Sequence, residues 1–178
     1  RTNSKVLTLK IGNAEIENVT SQKLLGVYID NCLTWKTHID KTCNKLSSKL
    51  FLLRRIGSYL SLEMKQMFYT AYITPILDYG CITWQHACKS DLNRLTKIQK
   101  RTARIILHKS WKDDAIELIK NLNWLSVPKR TEYYTGLMVF KSMHSLTPSY
   151  ISQLITVAKN NHYNLRTESH RDITHVKP

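Results

Sequence analysis

The chain has 178 residues, 42% of them apolar, with only four prolines and five glycines; that length suits one domain or two small lobes, and that composition excludes collagen-like and wholly disordered classes. Lysine and arginine number 27 against 13 acidic residues, a formal net charge of +14. An excess of that size points to a polyanion or an anionic surface as partner, the plainer alternative being a basic protein whose charge only aids solubility.

The opening residues alternate over 6–11, and Gly12 and Asn13 then supply positions tolerant of positive φ before a second strand pattern over 14–19, a hairpin signal. A third strand is expected over 23–30, with Gly26 in its middle; a glycine there marks a bulge or a close approach by another backbone, or is simply tolerated in an edge strand. The sequence starts at Arg1 rather than at a methionine and enters a strand almost at once, so a piece of a longer protein is the expectation.

From Lys36 the period changes. Ile39, Cys43, Leu46, Leu50 and Leu53 fall on one face of an amphipathic helix, with Lys41, Lys45 and Lys49 opposite. Gly57 and Ser58 end it, and Ser61 is the expected N-cap of a second helix whose apolar side is read as Met64, Met67, Phe68, Ala71 and Tyr72. Pro75 is expected to kink or end that helix near residues 72–74. Residues 76–84 fit helix or strand, with helix preferred.

A clearer helix runs to about His108 with Ser90 as its expected cap. Its apolar stripe is Leu95, Ile98, Thr102 and Ile106; its basic stripe, Arg94, Lys97, Arg101, Arg104 and His108, lies within about 80° at about 100° per residue and is about 21 Å long. Residues 41–109 hold 13 of the basic residues against three acids, so most of the net charge sits here. Repulsion along such a stripe is relieved by bound phosphates, although a solvated helix face fits the pattern too. Further helices are expected over 113–122, over 129–144 after Pro128, and over 150–157 after Pro148, followed by an extended or poorly ordered tail over 158–178.

Catalytic patterns are sparse. Asp113 and Asp114 could suggest paired metal-binding carboxylates, but a helix pattern follows them and N-terminal capping is the better account. Cys81, His86 and Cys88 would need a remote fourth ligand to hold zinc, and buried thiols beside a surface histidine explain them more simply. The four cysteines form no CxxC pair, and neither a secretory signal nor a run of about 18 apolar residues is visible, so an intracellular, reduced setting is expected, cytoplasmic or nuclear. Trp35, Tyr69, Tyr72, Trp84, Trp124 and Phe140 read chiefly as core, with base stacking as the alternative. Trp35 and His38 are placed to close the junction between the strand region and the first helix.

Several phrases, in chain order, resemble a known family. Leu25-Gly26-Val27-x-Ile29-Asp30 with Leu33-Thr34-Trp35-x-x-His38-Ile39 comes first, then Leu52-Leu53-Arg54-Arg55, then Tyr69-x-x-Tyr72-Ile73-x-Pro75-Ile76-Leu77-Asp78-Tyr79-Gly80 with Trp84. Ile98-Gln99-Lys100-Arg101-x-Ala103-Arg104-Ile105-Ile106 follows, and Leu122-x-Trp124-Leu125-x-Val127-x-x-Arg130 and Lys141-x-x-His144-x-Leu146-x-Pro148-x-Tyr150-Ile151 complete the series. Together they resemble the reverse transcriptases of non-LTR retrotransposons, LINE-like elements of the Jockey and CR1 kind.

The resemblance implies a mostly α fold, a helical thumb-like bundle preceded by a small antiparallel hairpin or three-strand element. It implies four segments: 1–31 as palm end and primer grip, 32–110 as basic thumb, 111–157 as helical extension, and 158–178 as tail. Leu25 and Gly26 would be the primer-grip position. Lys41, Lys45, Lys49, Arg54, Arg55, Arg94, Lys97, Arg101 and Arg104 would hold the phosphates of RNA, DNA or an RNA–DNA hybrid, fixing position without reading sequence. The family's catalytic aspartates would lie upstream, so this chain is expected to be inactive by itself and to hold no cofactor, Mg²⁺ being implied only for that catalytic part. An upstream palm is the implied partner, and an exposed strand edge could pair with a second copy. The competing expectations are a structural or protein-interaction domain derived from a retrotransposon fragment and, more weakly, a helical binder of anionic membrane surfaces.

Overall fold

The computed structural model describes residues 9–155. The expected strand residues 6–8, the last residues of the helix expected over 150–157, and the tail lie outside them. The chain divides into two compact units between Lys129 and Arg130.

The first unit begins with two antiparallel hairpins. Strands β1 (Leu9–Ile11) and β2 (Ala14–Ile16) pair with Ile11 opposite Ala14, and Gly12 makes the turn at φ 61°. Strands β3 (Ser21–Leu24) and β4 (Val27–Asp30) form the second, with Leu24 opposite Val27. The single strand expected over 23–30 is thus corrected to a turn with part of a strand on each side. Leu25 and Gly26 have φ of 45° and 86°, the two positive values that a tight hairpin with right-handed twist requires.

Helix α1 (Lys36–Ile56) follows, and the five residues expected to face its core are all buried. It closes in a 3₁₀ turn (Gly57–Tyr59), and α2 (Leu62–Phe68) starts at Ser61, whose Oγ accepts from the Met64 N–H at 3.3 Å. A π turn (Tyr69–Ile73) then leads into α3 (Thr74–Asp78), with Pro75 in its first turn. Pro75 supplies no N–H, and the wider turn before it makes room for the ring. The helical path therefore does not end at residues 72–74 but passes through the π turn into α3.

The added residue of the π turn moves burial from Tyr72 to Ile73, while the buried face of α2 before it already runs through Lys65 and Phe68. Phe68, Tyr69, Ile73 and the stem of Lys65 are buried, while Met64, Met67 and Tyr72 are exposed; the apolar side read from sequence is corrected accordingly. The ambiguous stretch is helical, with α3 and α4 (Cys81–Trp84) broken at Gly80.

Helix α5 (Lys89–Ile106) packs along α1. Its cap position is Cys88, two residues before the expected Ser90. Leu46 and Leu53 from α1 and Leu95 and Ile106 from α5 are at most 1% exposed, and truncating any of them to alanine costs about 2–5 kcal/mol. Asp114 caps α6 (Ala115–Asn121) by accepting from the Ile116 N–H at 2.9 Å.

Gln99, fully buried, fastens α5 to the segment after α6. Its Nε2 donates to the Tyr69 hydroxyl and the Leu125 carbonyl, both at 2.8 Å, and its Oε1 accepts from the Val127 N–H at 3.1 Å. The amide is thereby satisfied without water. Beside it Tyr69 and Trp124 stack with centroids 3.4 Å apart.

The second unit holds most of α7 (Val127–Met143) and α8 (Ser149–Ser152). The Thr147 hydroxyl joins these helices, donating to Ser142 Oγ at 3.2 Å and lying 2.9 Å from Ser152 Oγ. Phe140, expected in a core, is 55% exposed and lies against His144.

Candidate nucleic-acid interface

The junction of hairpin and helix is built by Asp30. Its carboxylate accepts from the N–H of Cys32, Thr34 and Trp35 at 3.2, 2.9 and 2.8 Å and from the Thr34 hydroxyl at 3.1 Å. These donors, the Thr34 N–H foremost, hold its pKa below the usual carboxylate value. The bonds offset the left-handed backbone of Leu33 and Trp35, at φ 52° and 64°. One turn into α1, His38 Nδ1 accepts from the Tyr28 N–H at 3.4 Å. Burial, aided by the Lys45 charge, pushes this imidazole toward the neutral form that can accept.

The turn ahead of this junction rests on the break between α3 and α4. The Tyr79 hydroxyl donates to the Leu25 carbonyl, and a Cβ on Gly26 would stand 3.3 Å from Tyr79 Cε1. Gly26 is thus a close approach, as one of its sequence readings held, but the neighbour is a side chain. Leu25 stands out at the tip, 83% exposed.

The expected phosphate ligands fall into separate places. Lys41, Lys45, Arg55 and Lys97 are exposed along α1 and α5, while Lys49 lies over the Tyr72 ring at 5.5 Å. Arg94 bonds to Asp40 on α1 and, at 3.2 Å, to Asp91 on its own helix; these carboxylates raise its pKa, the Asp40 bond first. Arg94 therefore clamps the two helices together, a use the sequence stripe did not disclose.

Arg54, Arg101 and Arg104 are brought together. They line a groove of about 890 Å³ between the C-terminal halves of α1 and α5, floored by Leu50, Gly57 and Ile105. His108 and Lys109 extend it, Phe51 and Trp111 add aromatic walls, and no acidic side chain lines it.

The end of α5 delivers these last residues. Lys109 N–H bonds back to the Arg104 carbonyl and His108 N–H to that of Ile105, with His108 left-handed at φ 52°; this closure turns the chain back beside its own helix. Ser110 and Asp113 then form a turn, the Ser110 N–H donating to the Asp113 carboxylate at 2.6 Å, and Arg104 Nη2 donates to the Asp113 carbonyl at 3.1 Å. The aspartate pair is thus spent on the turn and on the α6 cap. The charge stripe pointed to two of the groove's three arginines, whereas Phe51, Lys109 and Trp111 had no signal beyond their residue types.

Beneath the groove lies Lys65. Its stem passes 3.9 Å from where a Gly57 Cβ would be, its side chain is buried, and its Nζ lies 2.6 Å from His108 Nε2. With the ammonium as donor, that nitrogen is the acceptor. Among the described residues Lys65 has no carboxylate partner.

Sequence comparison locates relatives. The chain is 32% identical over 104 residues to the probable RNA-directed DNA polymerase from transposon X-element of Drosophila melanogaster, and 27% identical over 124 residues to the probable RNA-directed DNA polymerase from transposon BS of the same organism. This chain holds a region related to non-LTR reverse transcriptases. The alignments cover 57% and 68% of the chain but 12% and 14% of these two relatives' own lengths. No protein-family model matches the chain. No solved structure matches it either.

In this reverse-transcriptase-related region, no group of three or more His, Cys, Asp or Glu side chains converges among the described residues, and Asp113 and Asp114 serve the backbone. The described residues do not fit a Mg²⁺ cradle. Among them no helix is long and apolar enough to cross a membrane.

Proposed function

We propose that this chain is the nucleic-acid-gripping, thumb-like segment of a reverse-transcriptase-related protein, holding template and primer through their phosphates while the carboxylates for polymerisation belong to another part of the polymerase. The observation that carries this reading is the groove in which Arg54 of α1 meets Arg101 and Arg104 of α5 without an acidic residue in its lining. In a protein of net charge +14, clustering of cations that no ion pair among the described residues compensates favours a bound polyanion. The relatives supply the kind of polyanion, since RNA-directed DNA polymerases handle RNA and DNA.

In this reading the β3–β4 turn serves as the primer grip. Leu25 presents an apolar tip, and Tyr79 holds the turn from behind. Phosphate contact fixes position and leaves sequence unread.

The test is fluorescence-polarisation binding of the full chain to matched RNA–DNA hybrid, duplex DNA and single-stranded RNA over a salt series. Affinity should fall steeply with salt, and the double variant Arg54→Gln, Arg101→Gln should bind about tenfold or more weakly with an unchanged melting temperature. Absence of binding at low salt would remove nucleic acid as the partner.

A further inference from the structure

We propose that the groove between α1 and α5 takes an unpaired nucleotide, its phosphate on Arg54, Arg101 and Arg104 and its base on the exposed ring of Trp111, so that the chain prefers single-stranded RNA or DNA to a closed duplex. This rests on the nucleic-acid reading above and goes beyond it, because backbone gripping alone requires no aromatic surface and makes no distinction of strandedness.

Two independent features point to a compact anionic ligand. Arg104 lines the groove, yet its buried Nε–H has no hydrogen-bond acceptor among the described residues, although Nη2 on the same guanidinium is occupied by the Asp113 carbonyl. A buried donor left unmade is costly, and a phosphate oxygen reaching it would remove that cost. The second feature is Lys65, whose buried Nζ under the groove lies against the His108 imidazole and has no carboxylate partner among the described residues. An anion above Gly57 and His108 would supply the negative charge that the described protein groups do not.

The aromatic walls choose the kind of anion. Trp111 is 78% exposed and Phe51 68% exposed, both line the groove, and neither is needed for the core. Trp111 does not hang on a free loop. The turn from Ser110 to Asp113 is closed by its own hydrogen bonds and tied to α5 through Arg104, so the ring is presented at the groove by the same arginine that offers its free donor. Lys112 Nζ lies 5.9 Å from the ring centroid and adds a cation at the rim. Cations beside an indole face with an apolar floor form the arrangement that binds a phosphate with an unstacked base. In a closed duplex every base is already stacked and paired, and only phosphates could reach the groove.

The experiment compares mixed-sequence single-stranded RNA and DNA of about a dozen nucleotides with a blunt duplex of equal length, using the full chain, Trp111→Ala, Trp111→Phe and Phe51→Ala. The expected result is tighter binding of both single strands than of the duplex. Trp111→Ala should weaken the single strands about tenfold, leave the duplex unchanged and keep the salt slope, while Trp111→Phe retains most of the affinity. Both Trp111 and Phe51 are largely exposed, so the variants should melt as the parent does; Phe51→Ala gives a second reading of the same wall. Equal affinity for duplex and single strands, with no loss in Trp111→Ala, would overturn the nucleotide pocket and leave the gripping function standing. Failure to bind any of the three at low salt would overturn both.

Discussion

Asp30 illustrates how one side chain can organise a junction. It turns the chain out of β4 by accepting four hydrogen bonds within five residues, and the acceptor is the ionised carboxylate. Its folded pKa is lowered, so its contribution to stability is full above the unfolded carboxylate value and is lost as pH falls through the lower folded one. In urea titrations taken from neutral into acid solution, the stability gap between the parent and Asp30→Asn should narrow as pH drops. A gap that stays constant would show that the charge on Asp30 is irrelevant to the fold. Lys65 presents the opposite situation, a buried amino group with no carboxylate partner among the described residues. Lys65→Met keeps the buried stem and discards the ammonium, and His108, exposed at the surface, can turn to water. The expected outcome is a gain of about 1 kcal/mol or more in denaturant stability together with severalfold weaker nucleic-acid binding. Lower stability would mean that the Lys65–His108 contact contributes net to the fold.

Elements differ in how plainly the sequence disclosed them. Helix α1 was fully legible because its five core residues keep one period over its length, and every one is buried. The second helix was misread in two places: Met64 and Met67 are exposed because α2 buries Lys65 and Phe68 instead, and Tyr72, in register with Phe68 by ordinary helical spacing, is exposed because the π turn adds a residue and shifts the phase. Leu25-Gly26 was taken as strand because leucine is rarely left-handed, and only the Tyr79 contact, 54 residues away, explains why the turn sits there. The groove was half legible. The α5 stripe gathers its arginines by helical period, but the period cannot tell which of them meets a carboxylate on a neighbouring helix. Arg94 does, and Arg101 faces the groove. Their glutamine variants should therefore separate. Arg94→Gln should lower the melting temperature by the equivalent of about 0.5–1 kcal/mol, a modest figure because the pair is partly exposed, with affinity changed only by the loss of one distant charge. Arg101→Gln should leave melting unchanged and weaken binding. If the two behave in reverse, Arg94 is the phosphate ligand and the clamp is dispensable.

At the scale of the whole chain, the question is whether +14 acts as a diffuse field or through the places where it is concentrated. A diffuse field depends on net charge alone; bound phosphates release counterions only where a cation neutralises them, with a slope of log affinity on log salt of about −0.7 per phosphate for single strands. Two triple variants separate these cases, because each removes three positive charges. Arg54→Gln, Arg101→Gln and Lys109→Gln empty the groove of three cations, while Lys41→Gln, Lys45→Gln and Lys97→Gln take the same charge from exposed faces of α1 and α5 outside that groove. The groove variant should flatten the salt dependence of single-strand binding by about 2 in slope, and the surface variant by much less, although both lower the long-range attraction equally. Equal slopes would mean that phosphates are held across the whole basic surface, in which case the meeting of Arg54 with Arg101 and Arg104 reflects helix packing alone. Unequal slopes in the expected order would tie the charge excess to one place, made where α1 and α5 lie side by side and the end of α5 folds back to bring Lys109 and Trp111 beside its own arginines.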